Sequence, residues 1–201
     1  MFAAKFLKLL FRTPNLLLTC VLTINFVIAC LQLPARGDSG ASETPKVFTL
    51  QSSDFGNGAL IPTQFTADGK NISPSLQWSD APNGTQTFAI IVSDPDAPTA
   101  QPFIHWVIFN IPAATDQLPE GVQNQGTLDQ PDGALQGNNS FGQVGYGGPS
   151  PPPGPAHHYH FAIYALDTTM NSDPGCSADD LKQEMQGHIL GQTEFVARYG
   201  R

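Results

Sequence analysis

Two uninterrupted apolar runs constrain this chain more than any other feature: Phe88 to Val92 within "TQTFAIIVSDPDAP", and Phe103 to Pro112, "FIHWVIFNIP". A short continuous run of aromatic and β-branched residues, without polar alternation, reads as a strand buried on both faces. The first run breaks at Asp94-Pro95 and the second at Pro112, where proline withdraws a ladder donor. Around them the chain is punctuated. Gly and Pro together number 37 and charged residues are only 13%, which favours a turn-rich β fold over a helical bundle.

The flanking segments fit that reading. In "KVFTLQSSDF", Val47, Thr49 and Gln51 alternate with Phe48 and Leu50, as in a first strand. Asn57-Gly58, Asp68-Gly69 and Asn83-Gly84 are turn dipeptides spaced for antiparallel strands. Residues 113–156 carry little strand or helix signal, and a loop of that length in a compact domain is usually functional. "HYHFAIYALD" (158–167) returns to strand. In "SADDLKQEMQGHILG", Ser177 reads as an N-cap, Asp179 and Asp180 suit the first turn, and Leu181, Met185 and Ile189 form a helical apolar stripe. No internal repeat or second domain is visible.

The first 30 residues are of another kind. Lys5, Lys8 and Arg12 precede an uncharged apolar run from Leu16 to Ala29, the pattern of an export signal and short for a transmembrane span. The run ends "VIAC", so Cys30 is a candidate for lipidation after cleavage, with an ordinary signal peptide cut nearby or an uncleaved anchor as the alternatives. A small, polar tether (31–46) follows, and the folded domain is expected over 47–201. An extracytoplasmic location, periplasmic or in the cell envelope, follows from this pattern, with membrane contact only through the N-terminal anchor. Without the leader, six Lys/Arg face seventeen Asp/Glu, a balance of −11 that repels nucleic acid and anionic headgroups. An anionic ligand must therefore be caught by a local site. The expected domain holds one thiol, Cys176, and hence no internal disulfide.

Four clusters carry chemistry: Asp94 and Asp96 in "SDPDAP", His105 in "FIHWV", the loop "YGGPSPPPGP", and His157, His158, Tyr159 and His160. An antiparallel return after Asp94 brings the first two together, and the fourth opens a third strand, so all four are expected at one sheet edge. His158 and His160 share a strand face, as metal ligands can, but the acidic partner of a β-barrel metal site is missing and no metal or cofactor is expected. Ser150 near His157, or the His/Asp cluster itself, offers a hydrolase alternative, although no Gly-x-Ser-x-Gly elbow exists and the prolines beside Ser150 supply no oxyanion N–H. The third option is an anion pocket. Gly147 and Gly148 would bring backbone N–H groups close to a ligand, prolines would keep the loop rigid, and Asp94 would orient an imidazole. Against these stand plainer roles: His158 and His160 as exposed strand residues, and the Asp-Pro pairs as turn formers.

Together these residues resemble the phosphatidylethanolamine-binding protein family, in its bacterial YbhB/YbcL-like (Raf kinase inhibitor-like) branch. "DPDAP" with "HWVIFNIP" is similar to the family's first block, and "FGQVGYGGPSPPPGPAHHY" to its second. "IPTQFTADGKNISPSLQW" and "GHILGQTEFVARY" flank them in the right order. The resemblance implies a mainly β fold, an antiparallel β-sandwich with one or two peripheral helices. It also implies a non-enzymatic protein with a small pocket for phosphate-like groups, built from Asp94, His105, Gly148, Pro151, His157 and Tyr159, with Asp96 bracing the loop. Two departures stand out: Ser150 where the family usually has Cys, and His158 where it usually has Arg. The Arg common before the second block is also missing, which leaves Asn138 or Asn139 expected to brace the acidic loop.

Overall fold

A computed structural model describes residues 47–201. The leader, Cys20, Cys30 and the tether lie outside those residues. Two antiparallel sheets form the domain. One contains β1 (Thr49–Gln51), β2 (Leu76–Ser79) and β5 (Gln117–Leu118) in the order β1-β2-β5. The other runs β6-β4-β3-β7-β8, from β3 (Thr87–Asp94), β4 (Phe103–Pro112), β6 (Leu135–Gln136), β7 (His157–Leu166) and β8 (Ile189–Tyr199). One α-helix, α1 (Ala178–Glu184), and a 3-10 turn at Thr63–Phe65 complete it.

The apolar run of β3 sits at the centre of the larger sheet because each of its faces has a cover. Phe88, Ile90 and Val92 pack toward the smaller sheet, against Leu50, Leu76, Trp78 and Leu118. Ala89 and Ile91 point the other way, where Leu181 of α1 and Met185 at its C-terminal end close a second cluster with Met170. Side chains alternate across a strand, so uninterrupted apolarity is what a strand between two covers requires. Inside the inter-sheet core, Phe161 and Phe195 stack with centroids 4.8 Å apart, and Phe55 abuts both.

The N-terminus of α1 follows its sequence: Ser177 Oγ accepts the Asp180 N–H at 3.1 Å, and Asp179 and Asp180 lie in the first turn. Its C-terminus does not. Ile189 was expected on the helix stripe, but the helix ends at Glu184, Gly187 turns the chain at φ +85°, and Ile189 begins β8 with 41% exposure. A glycine in the left-handed region ends a helix whatever apolar spacing follows it. β8 then pairs along all of β7, from His157 with Tyr199 to Leu166 with Ile189. Its outer edge is covered over part of its length by residues 58–61, through Gly58 N–H to Val196 O and Arg198 N–H to Ala59 O.

The stretch 113–156 holds only the two-residue strands β5 and β6. Side chains anchor the rest. Buried Gln136 accepts the Trp106 indole N–H at 2.7 Å and donates to the carbonyls of Gln123 and Gln125 at 2.7 and 2.8 Å. Asn124 likewise holds the backbone of Tyr146 at both ends of its side-chain amide: Nδ2 donates to the Tyr146 carbonyl and Oδ1 accepts the Tyr146 N–H, each at 2.9 Å. Loop polar groups that cannot reach a ladder are thereby satisfied.

Candidate functional site

Three neighbouring strands of the larger sheet deliver the chemistry. β3 and β4 are antiparallel, but their register slips: Val92 faces Trp106 and Ser93 faces Ile104, leaving His105 as an extra residue on β4. Such a bulge re-aims a side chain that regular pairing would place elsewhere. His105 is buried, its ring meets Tyr159 edge-on at 5.1 Å, and its Nδ1 lies 2.6 Å from the Gly147 carbonyl oxygen. A carbonyl only accepts, so Nδ1 carries the hydrogen and Nε2 presents a lone pair when the ring is neutral. Burial favours the neutral ring and holds this imidazole below its ordinary pKa, against the smaller opposing pull of the Gly147 carbonyl, which favours the protonated ring.

Asp94 ends β3 and is buried. Its Oδ2 accepts from His157 Nδ1 at 2.7 Å, and its Oδ1 accepts the Asp96 N–H at 2.8 Å. The carboxylate therefore fixes the His157 ring and the turn after β3 together. Two residues further along β7, Tyr159 projects on the same side as His157. Its hydroxyl is buried and makes no hydrogen bond among the described residues. Burial first, and then the charge of Asp94, push this phenol far above its ordinary pKa, so it remains an O–H donor.

These groups border a hollow of about 240 Å³. Asp94, His105, His157, Tyr159 and Ser150 contribute polar atoms, while Phe103, Phe141, Pro98, Pro151 and Pro152 contribute apolar walls. Five of the residues that the resemblance assigned to the pocket thus meet there, Asp94, His105, Pro151, His157 and Tyr159, together with Ser150. Asp96 and Gly148 are not in its walls. Gly148 instead packs against the 3-10 turn, where a Cβ would come within 2.6 Å of the Phe65 carbonyl oxygen. The expectation that Gly147 and Gly148 offer N–H groups to a ligand is corrected. Gly147 N–H donates to the His105 carbonyl at 2.8 Å and Gly148 N–H to Asn71 Oδ1 at 2.7 Å.

Asp96 is tied to the start of β7 by His158, a partner the sequence did not suggest. Its Oδ2 accepts from both the backbone N–H and the Nδ1 of His158, at 2.9 and 2.7 Å, and this partner holds its carboxyl below the usual range. Asn138 and Asn139 were expected to brace the acidic loop and are elsewhere: Asn138 donates to the Gly175 carbonyl and Asn139 to that of Gly145. His160 faces Glu194, so the His-x-His pair turns toward two separate carboxylates. Among the described residues no group of three or more His, Cys, Asp or Glu side chains is placed to hold a metal. Ser150 Oγ bonds to Arg201 and not to His157, so the hydrolase alternative finds no Ser–His pair to support it. The aromatic walls Phe103 and Phe141, whose centroids lie 4.8 Å apart, escaped the sequence reading because nothing marks an apolar residue as lining a hollow rather than filling a core.

A family model described as phosphatidylethanolamine-binding protein matches residues 51–200. The chain belongs to that family. Among proteins similar to it, a UPF0098 protein of Pyrococcus horikoshii is 43% identical over 179 residues, covering 89% of each chain. The UPF0098 protein YbhB of Escherichia coli is 38% identical over 156 residues, covering 75% of this chain and 98% of its own. The crystal structure of E. coli YbcL, titled a new member of the mammalian PEBP family, superposes with a TM-score of 0.73 at 35% identity, over 77% of this chain and 98% of that one. A Chlamydia trachomatis homologue gives 0.69 at 33% identity with the same coverage. The β-sandwich is thus the family fold, and both sequence blocks fall on it as expected. Within that frame, His158 and Ser150 have local partners of their own, in Asp96 and Arg201.

Proposed function

We propose that this protein is a non-enzymatic binding protein, displayed outside the cytoplasm, whose hollow takes the phosphate-like head of a small ligand. The observation that carries this reading is the Tyr159 hydroxyl: buried at the hollow, without a partner, and held in its donor form. A buried donor left unmade costs about 1–3 kcal/mol, and an incoming oxygen acceptor relieves that cost. Beside it, Asp94 occupies His157 Nδ1 and leaves Nε2 for another partner, a donor to phosphate oxygen when the ring is protonated and an acceptor from a phosphate P–OH when it is neutral. The Asp94 charge is itself compensated by two donors, which reduces its repulsion of an anion. The apolar walls suit the non-polar remainder of such a ligand. The leader supports export, and the family supports binding in place of catalysis.

Calorimetric titration with phosphoethanolamine tests the proposal. Asp94→Ala and His157→Ala should each abolish binding while the circular dichroism spectrum remains that of a folded β protein. Tyr159→Phe discriminates best. It should weaken binding about tenfold yet leave the melting temperature equal or higher, because it deletes an unsatisfied hydroxyl. Equal affinity in Tyr159→Phe and wild type refutes the reading.

A further inference from the structure

We propose that Ser150 is a specificity-determining hydrogen-bond donor into the hollow, and that Arg201 is the positioning residue that makes it one; this rests on the hollow being a binding site for a phosphate-like group. Ser150 interrupts Pro149–Pro153, where every neighbour is proline and lacks an N–H. With the N–H groups of Gly147 and Gly148 committed inside the protein, this side of the hollow depends on Ser150 for a donor. Its Oγ lies 3.0 Å from Arg201 Nη2 and has no other side-chain hydrogen bond among the described residues. A guanidinium cannot accept a hydrogen bond, so Arg201 donates and occupies a lone pair of Oγ. The serine's own hydrogen remains available, and the serine lines the hollow.

Arg201 is itself held in place. Its Nε donates to Asp68 Oδ2 at 2.7 Å, its Nη2 donates to Asp68 Oδ1, and the Tyr199 hydroxyl donates to the same carboxylate at 2.7 Å. A two-point fork of this kind fixes the plane of the guanidinium, and with it the direction of the bond to Ser150. Donation from a cation polarises the hydroxyl and strengthens it as a donor in turn. The sequence Asp68–Arg201–Ser150 thus carries a cation's influence to a wall in which no Lys or Arg side chain stands. It also gives Ser150 a role other than that of a nucleophile. A nucleophilic serine needs its proton taken by a base, whereas this one is arranged to keep and share it.

The test is a double-mutant cycle read by calorimetric titration with inorganic phosphate, on wild type, Ser150→Ala, Arg201→Gln and the double variant. Ser150→Ala should weaken phosphate binding about tenfold or more. Arg201→Gln should weaken it several-fold in the wild-type background and not at all in the Ser150→Ala background, because its effect passes through the hydroxyl. Ser150→Thr should retain most of the affinity and Ser150→Cys little of it, a contrast that a purely structural role for residue 150 would not produce. Equal affinity of wild type and Ser150→Ala overturns the inference. So does an Arg201→Gln loss of the same size in both backgrounds, which would mean direct long-range attraction by the cation. Absence of phosphate binding by the wild type overturns the parent reading and this one together, a result distinct from binding that ignores Ser150.

Discussion

Gln136→Met would test whether one buried amide secures the long loop that forms part of the hollow. Methionine nearly matches glutamine in volume, so the substitution changes hydrogen bonding more than packing. Three bonds are lost: the Trp106 indole N–H to Oε1, and Nε2 to the carbonyls of Gln123 and Gln125. The carbonyls are the lesser loss, because Gln123 O also accepts the Gln125 N–H and both residues reach solvent. The indole has no such recourse: Trp106 and Gln136 are both fully buried, so its N–H is orphaned at about 1–3 kcal/mol. With roughly 1 kcal/mol more for the two weaker bonds, the total is about 2–4 kcal/mol. For a domain of this size that corresponds to a melting temperature lower by roughly 5–15 °C. Urea denaturation followed by circular dichroism measures the same quantity. Trp106→Phe in the Gln136→Met background should then cost less than it does alone, since it removes the orphaned donor. A loss under about 0.5 kcal/mol, or strict additivity of the pair, would refute the assignment of Gln136 as the loop's anchor.

Acid should act in two stages. His105 is held below its ordinary pKa by burial, so the unfolded chain binds that proton more readily; its contribution is complete above about pH 6.5 and is lost as pH falls through the lower folded value. Asp68, held at about 2 by hydrogen bonds from Arg201 and Tyr199, and Asp96, lowered by His158, contribute above about pH 4 and lose that contribution as pH falls further. The urea midpoint should therefore be level from pH 8 to 7, decline below about 6.5, and decline again below about 4; a midpoint unchanged from pH 7 to 3 would contradict this. Gly148→Ala should destabilise by about 1–3 kcal/mol, because its Cβ would come within 3 Å of the backbone at Phe65 and Thr66. Gly56→Ala, where a Cβ meets nothing within 4 Å, is the control and should melt close to wild type.

The central strands were legible because burial on both faces leaves a continuous apolar signature, and the start of α1 because Ser177 and the two aspartates act within one turn. β8 was not. The apolar spacing from Leu181 to Ile189 continues across Gly187, and only the backbone angle there tells helix from strand. The site divides in the same way. His157 and Tyr159 could be placed together because a strand's period is two, and Asp94 because a hairpin follows it. The bulge at His105 arises from a register slip between strands, which no local pattern records. Gly148 and the two asparagines were misplaced for a related reason. A loop's donors and acceptors find partners distant in sequence, and motif spacing says nothing about which of them are already engaged.

Apart from Ser150 on a loop and Phe103 on β4, the hollow's polar groups and its apolar walls ride on different kinds of scaffold. Asp94, His105, His157 and Tyr159 are borne by three adjacent hydrogen-bonded strands, whereas Ala97, Pro98, Thr99, Phe141, Pro151 and Pro152 belong to connecting segments. Substitution in the latter can widen, narrow or re-grease the cavity while the former keep their mutual distances, because strand spacing sets those. On the proposed function, divergence among copies of this architecture can therefore retune the tail that a guest carries while the strand-borne part of the grip on its head stays as it is.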